Sequence, residues 1–143
     1  MSTRVEKLVI DNRTYSASIK RLTVRDDLAL RTALMQIDLE MSVLDEQELA
    51  QKFNEYNYRK MYTVVHACVR SVSYIESEDE TPTAVRLDNF EDYLELDSEL
   101  GVYLYSMAIH HNPTLLGTIP KEDLKKWVLS MVSSLTPSNT END

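Results

Sequence analysis

The alternation of apolar and polar positions at the start of the chain predicts a β-hairpin over residues 4–20. Its first half is rich in β-branched side chains, and its second half places Tyr15, Ala17 and Ile19 on one face of an extended strand. Residues 11–13, Asp-Asn-Arg, have the composition of a turn. Because two strands alone are only marginally stable in water, we expect the hairpin to pack on helices or to pair with an edge of another chain.

After the hairpin, apolar residues recur every three or four positions, which is typical of amphipathic helices. Thr23 and Asp45 are suitable N-caps, and Asp45 has Glu48 three residues later, as in a capping box. The second helix is predicted to run to about Ser73. Its apolar stripe continues at helical spacing through Tyr58, Met61, Val65, Cys68, Val72 and Ile75.

The first helix carries two apolar stripes. One stripe contains Leu30, Leu34, Ile37, Met41 and Leu44, and a flanking stripe contains Val24, Leu28, Met35 and Leu39. The combined apolar surface is wide, so this helix is predicted to be well buried.

The predicted fold class is mainly α: a helical bundle of about five helices with an N-terminal β-hairpin. A third, short helix passes through Phe90 and Leu94, a fourth is capped by Asp97 or Ser98 and stopped at Asn112–Pro113, and a fifth begins near Pro120. At 143 residues the chain fits one domain. We predict a single domain over 1–135, with a helical body over 24–135, and a disordered tail over 136–143.

The net negative charge of the chain is concentrated in an acidic segment, residues 76–99. This segment has ten acids and one base, or −9, while residues 1–75 sum to +1 and residues 100–143 to −1, which together give the −9 of the whole chain. Such a segment can steer a basic partner or simply keep a surface soluble. The acidic balance argues against nucleic-acid binding, which depends on Lys and Arg.

Several function classes lack their sequence requirements. Only two glycines are present, so the sequence contains neither a P-loop nor a glycine-rich dinucleotide-binding loop. An EF-hand calcium loop is not indicated either, because residues 76–87 contain no glycine. No apolar run is long enough for a membrane span, and the N-terminus lacks a signal-peptide core. With a single cysteine, Cys68, a cytoplasmic location is expected, with neither a cofactor nor a metal.

Eight tyrosines are many for this length, and tyrosine is enriched at protein interfaces. Core packing explains most of them, but at least one of Tyr58, Tyr62 and Tyr105 is expected to be exposed. The candidate partner-binding residues are Tyr58, Tyr62 and Tyr105 together with four acids of the acidic segment, Glu91, Asp92, Glu95 and Asp97. No catalytic residues are predicted. An enzyme would have to use His66, Cys68, His110 or His111, and these show no nucleophile–base or metal-ligand spacing.

The junction after the hairpin reads Ile19-Lys20-Arg21-Leu22-Thr23-Val24-Arg25-Asp26-Asp27. This junction and the order of predicted elements in residues 4–75 resemble those of the small tail-assembly chaperones and baseplate-assembly factors of tailed bacteriophages. In those proteins an I-x-x-L-T-x-R-D type junction leads into helices. The resemblance implies a non-enzymatic protein that binds a tail or baseplate component during assembly, in the host cytoplasm.

The expected function is therefore that of an assembly factor or chaperone for a larger structural protein, with homo-oligomerisation possible. Two other interpretations remain. The chain could be a structural subunit that stays in the virion, or a small acidic regulator of a host protein. Neutralising the acidic segment would abolish binding by such a regulator, whereas a chaperone that relies on apolar contacts would keep most of its binding.

Overall fold

The computed structural model describes residues 3–78 and 80–118, with the backbone alone for residues 116–118. The predicted helix that begins near Pro120 and the predicted tail over 136–143 lie outside the described residues. The elements, in chain order, are β1 (Thr3–Ile10), β2 (Arg13–Lys20), α1 (Val24–Ser42), α2 (Glu46–Cys68), β3 (Val69–Ile75), β4 (Thr83–Ala84), α3 (Phe90–Leu94), α4 (Ser98–His111) and a 3₁₀ helix (Pro113–Thr118).

The predicted fold class, a mainly α bundle of about five helices, is wrong. In the described residues, four α-helices accompany a four-stranded antiparallel sheet with the strand order β1-β2-β3-β4. The N-terminal hairpin is confirmed, but it is half of this sheet and pairs with β3 of its own chain.

The main error lies at the end of α2, which stops at Cys68 instead of about Ser73. Residues 69–75 form β3, in which Val72 pairs with Ala17 and Tyr74 pairs with Tyr15. Val72 is buried in this strand, because it faces the same side of the sheet as its buried partner on β2. Val72 follows Cys68 by four positions, and this spacing fits a helix as well as a strand. The apolar stripe therefore extended the predicted second helix too far, to about Ser73.

The hairpin turn is short and its register is regular. Ile10 pairs with Arg13 across Asp11 and Asn12, and Asp11 has a φ of 53°. Aspartate is one of the few residues that tolerate this left-handed conformation, which two-residue hairpin turns require. As predicted, Tyr15, Ala17 and Ile19 share one face of β2, and all three are buried.

Both long helices begin at the predicted caps. Asp26 N donates to Thr23 Oγ1 over 3.2 Å and Glu48 N donates to Asp45 Oδ1 over 2.8 Å. In each case the third helical residue accepts in return from the backbone N–H of the cap, which completes a capping box.

The prediction that α1 is well buried is wrong for half of its surface. Leu30, Leu34 and Ile37 face α2 and are buried, whereas Val24, Leu28, Met35 and Leu39 are exposed. The two stripes lie on opposite sides of the helix, and α1 packs chiefly against α2, so the described residues cover one of its two sides.

α4 lies at the centre of the molecule and is buried along most of its length. It contacts α2 on one side and the inner face of the hairpin on the other. Tyr103 Oη donates to the carbonyl of Lys7 over 3.0 Å, and His111 Nε2 lies 2.7 Å from Glu6 Oε2. These bonds attach α4 to β1. None of the described helices is both long enough and apolar enough to cross a bilayer.

Candidate functional site: a groove with an acidic rim

Local capping chemistry fixes the corner where α3 meets α4. Asn89 is the N-cap of α3, and its Oδ1 accepts from Asp92 N over 2.9 Å. Asp97 is the N-cap of α4, and its Oδ1 accepts from Glu99 N over 2.9 Å. Only Glu95, Leu96 and Asp97 separate the two helices, so several carboxylates meet at one corner of the molecule.

A groove of about 240 Å³ lies beside this corner, between α2, α3 and α4. We call it the α3 groove. Tyr58 on α2 and Leu94 on α3 are about half exposed at its edges, at 47% and 48%. Its lining residues are Tyr58, Tyr93, Leu94, Leu96, Asp97, Ser98, Gly101 and Val102. The lining is mostly apolar and carries one carboxylate, that of Asp97.

The base of the α3 groove is held by Tyr93. Its hydroxyl donates to the carbonyl of Gly101 over 2.9 Å, which ties α3 to α4. Burial raises the pKa of Tyr93 above its usual value, so the hydroxyl stays a neutral donor at physiological pH. A Cβ on Gly101 would lie 3.6 Å from the Tyr93 ring, which is ordinary van der Waals contact.

Tyr62 has a supporting position and is half-buried. Its ring packs against His66, Phe90 and Tyr93 at centroid distances of 5.5, 5.9 and 5.8 Å. The pKa of Tyr62 is raised by burial and, to a smaller extent, by the negative charge of Asp92. This aromatic cluster fixes α3 against α2, so Tyr62 positions one wall of the groove.

The prediction that Tyr105 belongs to a binding surface is wrong. Its side chain is 1% exposed, because α4 is central and is covered around most of its circumference. The expectation that at least one of the three tyrosines is exposed is confirmed by Tyr58 alone.

A second cleft, of about 480 Å³, lies on the other side of the same corner. Arg13 stacks 4.0 Å from the centre of the Tyr74 ring, and its Nε lies 3.1 Å from Glu76 Oε2. Asp11, Glu95 and Asp97 also line this cleft, so its lining carries four carboxylates and one guanidinium. The excess negative charge suits a lysine or arginine side chain.

The four predicted acids lie together in the described structure. Glu91 and Asp92 belong to α3, Glu95 caps its C-terminal end, and Asp97 lies between the two clefts. Glu91, Glu95 and Asp97 are exposed, whereas Asp92 is half-buried and accepts from Asp88 N over 2.9 Å. Within the described residues no three His, Cys, Asp or Glu side chains are arranged to hold a metal ion.

The residues that an enzyme could use are not assembled into a site. Cys68 is fully buried, and burial raises the pKa of its thiol to about 12. The Cys68 thiol is therefore almost entirely protonated at neutral pH. His66 is exposed on α2 and contacts Tyr62 instead. His111 contacts Glu6, while the pKa of its neighbour His110 is lowered by burial and by the adjacent His111.

Several residues of the groove were not foreseen from the sequence. The sequence places Leu94 only in a short helix, and Gly101 and Val102 belong to a helix that is otherwise buried. A five-residue helix is too short for periodicity to show which of its leucines faces solvent. Only the packing of α3 on α2 decides that Leu94 remains exposed.

Comparisons with known proteins add no family or relative. No protein-family model matches this chain, and neither a curated protein nor a solved structure is significantly similar to it.

Proposed function

We propose that this chain is a non-enzymatic assembly factor that holds a segment of a larger structural protein in the α3 groove. The observation that carries the proposal is the exposure of Tyr58 and Leu94 beside the carboxylates of Glu91, Asp92, Glu95 and Asp97. We call this group of four carboxylates the acidic corner. Half-exposed tyrosine and leucine side chains at the edges of an apolar groove are typical anchors of protein interfaces.

The groove specifies the chemistry of the partner segment. Its volume of about 240 Å³ is below the range of about 300–1,000 Å³ that is usual for small-molecule sites, and it favours an apolar side chain. Carboxylates from Glu91 to Asp97 line the corner and extend into the second cleft. The segment that fits best has an apolar anchor with lysine or arginine nearby.

The acidic corner contributes mainly to association rate and specificity. Exposed charges steer a basic segment toward the groove and repel acidic ones, and their effect weakens as salt screens them. The apolar contacts with Tyr58 and Leu94 supply the more salt-resistant part of the affinity.

The resemblance of residues 4–75 to phage assembly proteins extends this proposal to a partner class. A tail or baseplate component is the proposed client, and a chaperone that leaves the finished particle is the proposed role. A structural subunit would use the same groove but remain in the particle. A small acidic regulator would depend on the acidic corner more than on the apolar residues.

The test is affinity capture of the tagged full chain and its variants from the cells that make the protein. Native mass spectrometry then identifies the complexes that are recovered. Tyr58→Ala is expected to reduce partner recovery by about tenfold or more, as for an interface anchor. Changing Glu91, Asp92, Glu95 and Asp97 to their amides is expected to weaken recovery moderately at low salt. Because the amides retain side-chain acceptors for the caps, they isolate the effect of charge.

Gln47→Ala, on an exposed position at the far end of α2, is the matched control and is expected to leave recovery unchanged. Equal recovery by wild type and Tyr58→Ala would contradict the groove proposal. Complete loss with the amides but not with Tyr58→Ala would favour the regulator. Presence of the chain in purified finished particles would make it a structural subunit.

A further inference from the structure

The outer side of α1 carries an apolar stripe that no described residue covers. It consists of Val24, Leu28, Met35, Leu39 and Val43, which are between 60% and 89% exposed. At about 100° per residue these positions span about 100° of the helix surface, opposite the side that packs on α2. Single exposed apolar residues are common, but a continuous stripe of this length is typical of an interaction site.

When Thr32 is counted with the stripe, the spacing of its positions is the same read from either end, and Met35 then has the polar Thr32 as its counterpart. Positions 24 and 43, 28 and 39, and 32 and 35 are each equidistant from a point between Ala33 and Leu34. In an antiparallel pair of identical helices related by a two-fold axis, equidistant positions face each other. Leu28 of one copy would therefore meet Leu39 of the other, and this contact would occur twice.

Charges beside the stripe fit the same arrangement. Arg31 and Asp38 lie along one flank of the stripe, and antiparallel pairing places Asp38 of the second copy about 3 Å, along the helix axis, from Arg31 and equally far from Asp27, whose charge Arg31 already offsets. Arg31 is oriented by Asp27, with Nε 2.8 Å from Oδ2, and by the carbonyl of Thr114, 3.0 Å from Nη2. Asp38 is oriented by Lys60. The Asp38 side chain is still 58% exposed and can accept a second cation.

We propose that α1 forms a two-fold symmetric homodimer in which antiparallel copies of this helix pair through the apolar stripe. The stripe is about 28 Å long. One helix pair of this length lies at the low end of interface sizes, below about 1,200 Å² in total. The expected dissociation constant is micromolar, about 1–100 µM.

The test is sedimentation equilibrium of the full chain and of two charge variants. Leu28→Glu and Leu39→Lys are each expected to weaken dimerisation by about tenfold or more, since each places a charge opposite a leucine. An equimolar mixture of the two variants is expected to recover association. In the mixed dimer the two introduced charges face each other at one contact, and the unchanged leucines meet at the other.

Val9→Glu is the matched control, because it puts a charge on an apolar side chain of similar exposure, 65% against 66% for Leu28, outside both the stripe and the α3 groove. It is expected to dimerise as wild type does. Both α1 positions are exposed in the single chain, so circular dichroism is expected to show unchanged folding for each variant.

Three results would overturn the proposal: a wild-type chain that is monomeric well above 100 µM, dimerisation that Leu28→Glu does not weaken, or a mixture that does not recover. The competing occupant is the segment after Thr118, which the sequence predicts to be an amphipathic helix. If it covers the stripe, wild type is monomeric and Leu28→Glu shifts the fluorescence of Trp127, the only tryptophan.

Discussion

At the scale of single residues, Asn112 connects three parts of the fold. Its Oδ1 accepts from Leu22 N over 2.8 Å, and its Nδ2 donates to the carbonyls of Lys20 and Ala108 over 3.0 and 3.1 Å. The side chain is 5% exposed, so these bonds are shielded from water. It joins the end of α4 to the end of β2 and to the start of α1. From the sequence, Asn112–Pro113 predicts only a helix stop.

Asn112→Ala is expected to lower the free energy of unfolding by about 2–3 kcal/mol, because it removes the acceptor of Leu22 N and a donor to the carbonyl of Lys20, both partly buried. Urea denaturation measures the change. Asn54→Ala, an exposed asparagine of α2, is the control and should change the free energy by less than about 0.5 kcal/mol. A similar small effect at Asn112 would show that water replaces the lost bonds.

At the scale of elements, local signals predicted the starts of elements better than their ends. The caps Thr23, Asp45 and Asp97 start helices as expected, because capping depends on a few adjacent residues. The α2–β3 boundary depends on pairing with β2, which is distant in sequence, so no local pattern reveals it. The exposure of Leu94 likewise depends on how α3 packs. The sequence therefore predicted the acidic corner and Tyr58 as candidate binding residues, but it did not predict the groove that lies between them.

Gly101→Ala tests α4 and the α3 groove together. An alanine inside a helix is favoured over glycine, and the added methyl group meets Tyr93 only at 3.6 Å, so the free energy of unfolding should rise by about 0.5–1 kcal/mol. Because Gly101 also lines the groove, partner recovery should fall despite the higher stability. Thermal unfolding and capture measure the two effects. A destabilised variant would contradict the packing described here, and unchanged capture would contradict the groove proposal.

At the scale of the whole molecule, two candidate interaction surfaces are separate. The stripe lies on α1, whereas the α3 groove is formed by α2, α3 and α4, and they share no residue. α2 lies between them, with α1 packed on one of its sides and α3 on another. A dimer formed through α1 would therefore leave both grooves open to partner segments.

Mutations in the two surfaces are expected to act independently, because distant sites without shared contacts are usually additive. Leu28→Glu should weaken self-association and leave partner capture intact, whereas Tyr58→Ala should do the reverse. Sedimentation and capture on both variants and on their combination measure this. If Leu28→Glu also lowers capture by about tenfold, partner binding depends on two linked grooves in one dimer.

The attachment of α4 to the hairpin also affects how the chain folds during synthesis. The bonds from Tyr103, His111 and Asn112 to the N-terminal region span 90 to 105 residues. Chains leave the ribosome N-terminus first, and contacts between distant residues form late because closing a long loop costs entropy. The inner face of the hairpin, with Tyr15 and Ile19, therefore stays uncovered until α4 has been made. The hairpin is therefore made before α4 but reaches its final packing only after α4.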